Sequence, residues 1–456
     1  MKRLTLSFFL IVLAGSLCMA AGEEESSSFS PSDGGSLTFM MPSPTIDMLG
    51  GTAALDEVAR LYREHRGVEV EIVSADIGQY PDMLMARTAA GNMPDVFVLP
   101  YNYSRLADNE ALEDLTSLAG TFDFYADPVP RHDKIYGIPF VMGAGGLLYN
   151  RVVFDMYGIS RDLSSLSGNR GEFDGLSRYF RSTGVSFLAA GGRDFPVEAY
   201  ILFDLCLAAG VLRYNPGFPE DLAGGRAGLH DQVFIRAAEQ AAILFRDFPS
   251  SYPGMSEAEA VDMFQSGNAA VIPADTRSKD LFSGWEDPRI FAGFPSHGGG
   301  TVLMVYPASL GIGAYSNNKE AAVDFVRFLL SPEMQTHFTS KGTVIPVVRG
   351  LRCPAGPKQQ VIRALDEAAY VAGAGFYDMM FAAGLQYNDI LDFYNGLYRA
   401  GTEGQSVRPV VDDLSDAYYA VAGIREPAPS AAPASAPVPS GGSSSGGSGL
   451  NAPTNP

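Results

Sequence analysis

Residues 136–150 read YGIPFVMGAGGLLYN, a run of apolar and aromatic residues that is broken by glycines. The pattern predicts an extended segment from Tyr136 to Tyr149. Gly143, Gly145 and Gly146 give the backbone extra freedom in its second half, which suits a hinge better than a phosphate loop. We therefore expect this segment to cross between two lobes of the chain.

The region before this segment alternates between strands and helices. Residues 37–41, 68–72 and 95–99 have the pattern of strands, and the residues between them have the 3.6-residue period of helices, over 54–62 and over 80–90. This order predicts a parallel sheet with right-handed crossovers. Ligands of such sheets meet the loops at the carboxyl ends of the strands, here residues 42–49 and 100–105.

The region after the segment is largely helical up to residue 285. Ser256 and Glu259 form a capping-box pattern, and residues 267–272 read as a short loop that enters a buried strand. Further elements are expected in this order: a strand over 310–315, a helix capped by Asn317 and Glu320 that runs to Leu330, a helix from Ser331 to Gly342, and helices over 359–374, 389–399 and 407–422.

Composition limits the classes of partner. The 456 residues include 46% hydrophobic residues, and 52 acidic against 32 basic side chains give a net charge of −20. A chain of this length can bury two cores, and its charge makes nucleic acids and anionic membranes poor partners. We expect a monomer.

Both ends of the chain differ from the body. Residues 1–21 have the basic start and apolar run of an export signal, residues 22–36 resemble a polar tether, and residues 426–456 have the composition of a disordered tail. Cleavage near Met19 and lipidation of Cys18 are both open. The protein is therefore expected to be exported, either periplasmic or anchored to the outer face of the cytoplasmic membrane.

No catalytic or metal-binding motif accompanies the body. The five histidines are scattered without metal-ligand spacing, and the one Gly-x-Ser-x-Gly match lies in the tail at residues 442–446. Cys206 and Cys353 read as two separate buried thiols, and a disulfide between them after export is the alternative. We predict no cofactor and no metal. An exported enzyme that acts on glycans through unlocated carboxylates remains an alternative.

Tyrosines are the more informative residues. The chain has 21 Tyr and a single Trp, and Tyr101, Tyr103, Tyr136 and Tyr149 fall at predicted strand ends or crossings. A tyrosine offers an apolar face and a hydroxyl, which suits a polyhydroxylated ligand, although each ring could equally be core.

The order of short motifs resembles the family 1 extracellular solute-binding proteins of bacterial ABC importers, the group of maltose-binding protein. The resemblance covers about residues 37–422 and is carried by four stretches: YPDML with GNMPDVF (80–97), YGIPF with GLLYN (136–150), FQSGNAAVI (264–272), and the strand and helix of 311–330. It implies an α/β, two-lobed periplasmic-binding-protein-like fold. Each lobe would be a mixed sheet flanked by helices, and the two would be joined by hinge crossings.

The resemblance implies lobe 1 over 37–141 plus 290–346 and lobe 2 over 142–289 plus 347–425. It implies a receptor that closes on a small solute, most simply a carbohydrate, and delivers it to a membrane ABC permease; a tethered sensor or adhesion protein on the same fold is a further alternative. By position in the motifs, the implied ligand-binding residues are Ser43, Thr45, Asp47, Tyr101, Asn102, Tyr103, Met142, Gly143, Asp194, Tyr200, Asp275, Thr276, Arg277, Phe376 and Tyr377.

Two departures from the family pattern bear on the solute. Sugar-binding members often place Trp where this chain has Arg277, and glycines occupy the crossing where some members carry an acid. These departures argue against a large oligosaccharide. Arg277 could fork onto a carboxylate or phosphate, or it could pair with Asp275.

Overall fold

The computed structural model describes residues 35–100, 103–159, 169–193, 196–282, 289–351, 353, 356–373 and 375–425, with the backbone alone at 377, 378, 381 and 382. The predicted export signal, nearly all of the tether, the tail and Cys18 lie outside the described residues. So do three predicted site residues, Tyr101, Asn102 and Asp194.

Strands and helices alternate along most of the described chain. The strands are β1 (Ser36–Pro42), β2 (Glu69–Ala75), β3 (Val96–Val98), β4 (Val129–Arg131), β5 (Lys134–Asn150), β6 (Ser186–Leu188), β7 (Ala269–Asp275), β8 (Arg289–Ala292), β9 (Phe294–Pro295), β10 (Thr301–Ile312) and β11 (Tyr370–Ala372). The helices are α1 (Ser43–Met48), α2 (Thr52–Arg66), α3 (Tyr80–Ala89), α4 (Ser104–Asp108), α5 (Thr116–Ala119), α6 (Arg151–Met156), α7 (Arg170–Phe180), α8 (Val197–Leu207), α9 (Phe218–Ala223), α10 (Gln232–Phe245), α11 (Glu257–Gln265), α12 (Lys279–Phe282), α13 (Lys319–Leu329), α14 (Pro332–Lys341), α15 (Pro357–Glu367), α16 (Phe376–Ala383), α17 (Tyr387–Glu403) and α18 (Arg408–Ala422).

The strands form one mixed sheet in the order β2-β1-β3-β10-β5-β7-β6, with β11 and β9 on β10 and β4 and β8 on β5. β1 pairs in parallel with β2 and β3, so the predicted parallel unit is confirmed. β7 and β6 form a second parallel pair. The long strands β5 and β10 join the two groups and run antiparallel to each other.

The predicted extended segment is β5, which begins two residues before Tyr136 and ends at Asn150. Every residue of β5 from Tyr136 onward is buried, because helices and neighbouring strands cover both faces. β10 is longer than predicted: it begins at Thr301 rather than at Leu310. The first half of β10 is a continuous apolar run, which periodicity alone does not assign to a strand. Its length therefore becomes clear only from its pairing with β5.

The buried side chains form two clusters. The first core surrounds β1 and β3 and contains Phe39, Phe97 and Phe325. The second core surrounds α8 and contains Phe203 and Phe376, whose ring centroids are 4.7 Å apart. β5 and β10 send side chains into both clusters. Each fully buried Phe contributes about 2 kcal/mol through the apolar area that it removes from water.

Two of the predicted helix starts are confirmed and one is wrong. Ser256 caps α11: its Oγ accepts the Glu259 N–H at 3.2 Å, and the Glu259 carboxylate accepts the Ser256 N–H at 2.7 Å. Ser331 caps α14. Asn317 and Glu320 do not cap α13, which begins at Lys319; its flanking Asn318 instead donates its side-chain N–H to the Ser36 carbonyl at 3.2 Å.

Two further predictions of local structure are wrong. Residues 42–49 contain the helix α1 rather than only a loop, because Pro44 fits the first turn of a helix, where its missing N–H costs nothing. The helix predicted over 359–374 ends at Glu367, and Tyr370 to Ala372 pair with β10 instead. An edge of a neighbouring strand has here overridden the local helical pattern.

Cys206 and Cys353 are buried free thiols, as predicted. Burial raises the pKa of each thiol to about 12, so both stay protonated at neutral pH. Within the described ranges, none of the helices combines the length and the hydropathy needed to cross a bilayer.

Candidate functional site

The sheet contains two groups of parallel strands, one formed by β1, β2 and β3 and the other by β6 and β7. The carboxyl ends of the two groups point toward each other across β5. β3 ends at Val98, which pairs with Leu310 of β10, and Leu310 in turn pairs with Ile138 of β5. β7 runs in the opposite direction and ends at Asp275, opposite Gly145 of β5. The seven-residue step from Ile138 to Gly145 spans about 23 Å at 3.3 Å per residue. Loops from both groups therefore converge on the middle of β5, as ligand-binding loops of α/β sheets do.

The end of β7 is fixed to β5 through Thr276. The Thr276 hydroxyl accepts the N–H of Ala144 at 3.0 Å, and the Thr276 N–H donates to the Ala144 carbonyl at 3.0 Å. Thr276 is completely buried, so both bonds are shielded from water. This pair of bonds holds the next residue, Arg277, against β5.

Arg277 is held by a carboxylate and a phenol. Its backbone N–H and its Nε donate to Asp275, each at 2.8 Å, and Nη2 bonds both the Asp275 carboxylate and the Tyr200 hydroxyl. The guanidinium carbon lies 4.5 Å from the centre of the Tyr306 ring, a cation–π distance. The Arg277 side chain is 34% exposed, and the Asp275 side chain is 3% exposed. Among the described residues, Nη1 has no hydrogen-bond partner.

The charge of Arg277 is stable in this position. Burial of the guanidinium opposes its charge, but the Asp275 carboxylate and the Tyr200 and Tyr306 hydroxyls outweigh that cost, and the pKa of Arg277 lies above its ordinary value. Burial also raises the pKa of Tyr306 well above its ordinary value, with Tyr200 and Asp204 adding to the effect. The site therefore combines a neutralised ion pair with the uncharged phenol of Tyr306 at neutral pH.

The glycines of β5 make room for this group. A Cβ at Gly143 would lie 2.9 Å from the Asp275 carboxylate and 3.1 Å from the Arg277 side chain. A Cβ at Gly145 would lie 3.0 Å from the Tyr306 hydroxyl. The glycines sit here because side chains from β7 and β10 occupy the space where their own would be.

Helix α8 supplies the back of the site. Tyr200 and Asp204 are four residues apart and so share one face of the helix. Tyr306 donates its hydroxyl to Asp204 at 3.4 Å, and the backbone N–H of Phe376 donates to Asp204 at 2.6 Å. Asp204 is completely buried, so both bonds belong to the interior.

A buried carboxylate fixes the segment that follows β6. The Glu198 carboxylate accepts the N–H of Gly191 at 3.2 Å and is 1% exposed. Burial raises the pKa of Glu198 to about 8; the N–H bonds lower it somewhat, and nearby Glu257 raises it further. The predicted ligand residue Asp194 lies between Gly191 and Glu198, outside the described residues.

Helix α1, which directly follows β1, contains three predicted site residues. Ser43 is exposed and donates its hydroxyl to the Ala75 carbonyl at 3.0 Å, and Asp47 is exposed. Thr45 is 7% exposed and faces the protein. Ser43 and Asp47 are thus free to meet solvent at the carboxyl edge of the first sheet unit, whereas Thr45 packs inside.

Tyr103 follows the exit of β3. Its hydroxyl donates to the Pro130 carbonyl at 3.1 Å, and burial raises its pKa, with Arg131 opposing this effect and Glu220 and Asp108 adding to it. Met142 is completely buried in the first core, and its backbone exchanges hydrogen bonds with Ile345. Met142 therefore presents neither a side chain nor a free backbone N–H to a solute.

The structure brings together six of the fifteen predicted site residues. Gly143, Tyr200, Asp275, Thr276 and Arg277 form a contiguous group, and Phe376 joins it through its backbone N–H. The Phe376 ring lies in the second core, and only the backbone of Tyr377 is described. Tyr149, one of the tyrosines at strand ends, also belongs to the second core, where its ring lies 5.8 Å from that of Phe154.

Sequence reasoning missed Tyr306, Asp204 and Glu198. Asp204 and Glu198 had a readable signal: both are acids inside the otherwise apolar run VEAYILFDLCL, and acids are rarely buried unless they have partners. Tyr306 had no such signal, because its place under Arg277 depends on the pairing of β10 with β5. Among the described residues, no group of His, Cys, Asp and Glu could hold a metal ion.

These features define a class of protein. Residues 47–336 match the family of bacterial extracellular solute-binding proteins, and the chain belongs to that family. Its members are solute receptors rather than enzymes, which agrees with a site built from neutralised charges and aromatic faces.

Among curated proteins, the chain resembles a maltooligosaccharide ABC transporter solute-binding lipoprotein of Streptococcus pneumoniae. The two are 25% identical over 363 residues, which cover 74% of this chain and 78% of the relative.

Solved structures show the same fold. The apo-form of RafE from Streptococcus pneumoniae matches 86% of this chain and 99% of its own with a TM-score of 0.67 at 16% identity. The sugar-binding protein MalE from Xanthomonas citri matches 85% of this chain and 97% of its own with a TM-score of 0.66 at 16% identity. The predicted α/β periplasmic-binding-protein-like fold is thereby confirmed.

Proposed function

We propose that this protein is the receptor of an ABC importer for a small neutral sugar, which it binds between two lobes and releases unchanged. The observation that carries the proposal is the group around Arg277 at the convergent strand ends. Its guanidinium is already neutralised by Asp275 and rests on the Tyr306 ring. Nη1 offers two N–H donors to a ligand without requiring a negative charge from it.

Such a site suits sugar hydroxyls better than anions. A carboxylate or phosphate that approached Arg277 would also approach Asp275, whose side chain is 3% exposed beside it. The repulsion would cancel much of the attraction, because both charges act at short range in a partly buried site. A hydroxyl pair can accept from Nη1 with no such cost, and a sugar ring can stack its C–H groups on a tyrosine.

The names of similar proteins support this substrate class. The curated relatives are named for maltooligosaccharides, and one structural neighbour was solved as RafE in complex with raffinose. Another is named for an exclusive preference for β-D-galactopyranose, so the fold also serves solutes of a single ring.

Closure of two lobes is the proposed mechanism. We assign lobe 1 to 37–141 plus 290–346 and lobe 2 to 142–289 plus 347–425, so that β5 passes from lobe 1 to lobe 2 after Val141. The buried side chains form two clusters, and β5 and β10 contribute to both, which supports a body of two lobes. A solute that contacts both lobes only in the closed state shifts the population toward that state, which the permease then recognises.

The proposed location is the outer face of the cytoplasmic membrane, with Cys18 lipidated and the protein monomeric. The curated relatives are named lipoproteins, which supports the anchor. Mass spectrometry of the protein from membranes should find a diacylglycerol-modified Cys18, and Cys18→Ser should release the protein. A mature chain that begins after Cys18 would exclude the anchor.

The experiment that tests the substrate class is a thermal-shift screen followed by calorimetry. The panel contains maltotriose, raffinose, galactose, glucuronate, glucose-6-phosphate and amino acids. A ligand of the native state at a hundredfold excess over its Kd adds about 2.7 kcal/mol of stability. We expect a neutral sugar to raise the melting temperature, and the charged compounds and amino acids to leave it unchanged.

Arg277→Met should reduce affinity for that sugar at least tenfold with little change in the unliganded melting temperature. Arg349→Met is a matched control, because Arg349 also lies 4.5 Å from a tyrosine ring, that of Tyr125, and its side chain is 38% exposed. Stabilisation by glucuronate or phosphate instead of a neutral sugar would overturn the substrate class. Chemical conversion of the sugar would overturn the receptor function.

A further inference from the structure

We propose that Asp204 is the positioning residue that holds Arg277 and the start of α16 in place for the solute. The inference rests on the proposed function, because it assumes that the solute binds at the end of β7. Asp204 is completely buried and lies behind the site, in contact with two of its supports.

The first contact fixes the surface beneath Arg277. Tyr306 donates its hydroxyl to Asp204 at 3.4 Å, and the ring of the same Tyr306 lies 4.5 Å from the guanidinium carbon of Arg277. A tyrosine ring on a strand can tilt about its side-chain torsions unless its hydroxyl is held. Asp204 therefore sets the plane on which the guanidinium rests.

The second contact fixes the start of α16. Phe376 is the first residue of this helix, and its N–H donates to Asp204 at 2.6 Å. A carboxylate at this position satisfies one of the free N–H groups of the helix and interacts favourably with its dipole. The fit is tight: a Cβ at Gly375 would lie 2.7 Å from the Asp204 carboxylate.

The same face of α8 also holds Arg277 directly. Tyr200, one turn before Asp204, accepts a hydrogen bond from Nη2 of Arg277 at 3.3 Å, and its ring lies 5.6 Å from that of Tyr306. α8 thus determines the guanidinium position twice, through Tyr200 and through the pair of Asp204 and Tyr306. Loss of the Asp204 contacts should therefore weaken solute binding by displacing Arg277, and not by removing a contact between Asp204 and the solute.

That route predicts non-additive effects on binding. Asp204→Asn and Arg277→Met should each reduce affinity at least tenfold for the panel sugar that stabilises the wild type. The double variant should bind no more weakly than Arg277→Met alone, because the first change acts only through Arg277. Tyr306→Phe, which keeps the ring and loses the hydroxyl, should reduce affinity severalfold and likewise add nothing to Arg277→Met.

The matched control is Asp95→Asn. Asp95 is also buried and accepts the Thr38 N–H at 2.8 Å, but it lies before β3, at the edge of the sheet away from the site. We expect this variant to lower the melting temperature without changing affinity. If Asp204→Asn and Asp95→Asn both changed only the melting temperature, or if the effects of Asp204 and Arg277 simply added, the positioning role would be overturned.

A second readout needs no solute. Hydrogen–deuterium exchange on the full chain should show faster exchange at the start of α16 in Asp204→Asn, and unchanged exchange there in Asp95→Asn. If the wild type bound no sugar yet this difference appeared, the proposed function would fail while the structural half of the inference stood. Equal exchange in the two variants would contradict the assignment of Asp204 itself. Tyr306→Phe tests the binding half should Asp204→Asn not fold.

Discussion

Three buried acids around the candidate site, Asp275, Asp204 and Glu198, differ in how the protein compensates the cost of burying their charge. Asp275 is neutralised by Arg277, and Asp204 accepts two hydrogen bonds from a tyrosine and a backbone N–H. Glu198 has no cationic partner in the contacts described, and burial raises its pKa to about 8. A neutral buried acid can act as part of a polar network without the cost of a buried charge.

The raised pKa makes Glu198 a source of pH-dependent stability. Below pH 4.5, the ordinary value, both folded and unfolded states carry the proton. As pH rises from 4.5 to 8, the unfolded state loses the proton and the folded state keeps it, so the contribution of Glu198 to folding stability falls. Above pH 8 both states are ionised and the loss is complete.

Glu198→Gln should remove this dependence. Because one pKa unit corresponds to about 1.4 kcal/mol, the free energy of unfolding of the variant should exceed that of the wild type by a few kcal/mol at pH 8 and by little at pH 4.5. Urea unfolding at several pH values measures the difference. Glu71→Gln, on the exposed side of β2, is the control and should show a flat difference. A flat difference for Glu198→Gln would contradict the raised pKa.

At the scale of elements, β5 decides where the site lies. Its carboxyl half pairs with β7, residues 138–144 pair with β10, and its glycines leave space for side chains from both neighbouring segments. The role predicted for these glycines was a hinge, which stays a prediction. Their close contacts supply an additional reason for glycine at Gly143 and Gly146, because a Cβ would collide with the neighbouring elements.

Two alanine substitutions in β5 should separate binding from stability. A Cβ at Gly143 would press on the Asp275 carboxylate and Arg277, so Gly143→Ala should reduce sugar affinity at least tenfold with a modest loss of stability. A Cβ at Gly146 would lie 2.6 Å from the Phe291 ring and 2.8 Å from the Ala292 carbonyl, so Gly146→Ala should cost about 1–3 kcal/mol of folding stability.

Calorimetric titration and urea unfolding of both variants measure the two effects. Equal losses of affinity and stability in the two variants would show that β5 responds as one unit. That result would remove the distinction drawn between the glycine under Arg277 and the glycine under Phe291.

At the scale of the whole molecule, two cores share two long strands. The proposed closure would bend the molecule where β5 and β10 pass from one core to the other. The pairing of β5 with Ile345 near Met142 places a third segment beside the crossing. The convergent strand ends lie on the same stretch of β5, so bending would change the distance between them.

Small-angle scattering should detect that change. At a sugar concentration about tenfold above the wild-type Kd, we expect the radius of gyration to decrease, and Arg277→Met at the same concentration should show a smaller decrease because it binds more weakly. Scattering that is identical with and without bound sugar would contradict closure, even if calorimetry confirmed binding.

Much of the fold could be predicted from local patterns. The order of strands and helices before residue 100 predicted the parallel unit, and the capping pattern of Ser256 and Glu259 predicted the start of α11. Prediction failed where a distant strand decided the outcome, as at Tyr370, which pairs with Val302 of β10.

The candidate site divides in the same way. The resemblance to the solute-binding family pointed to Asp275 and Arg277, which follow its motif ending at Ile272, and the structure joins them to Gly143 and Tyr200. The ring beneath Arg277 could not be found in this way, because nothing in its immediate sequence marks Tyr306 as different from other apolar strand residues.

By itself the sequence determined the alternation of strands and helices, the acidic charge and the motifs of the solute-binding family, because periodicity and composition act over a few residues. Only the tertiary structure decided that Asp204, Tyr306 and Arg277 meet. Their contacts depend on strand pairings and helix packing between segments about 30 to 100 residues apart in the chain. Local sequence patterns do not determine which distant segments meet. The packing of the two cores against β5 and β10 determines these contacts.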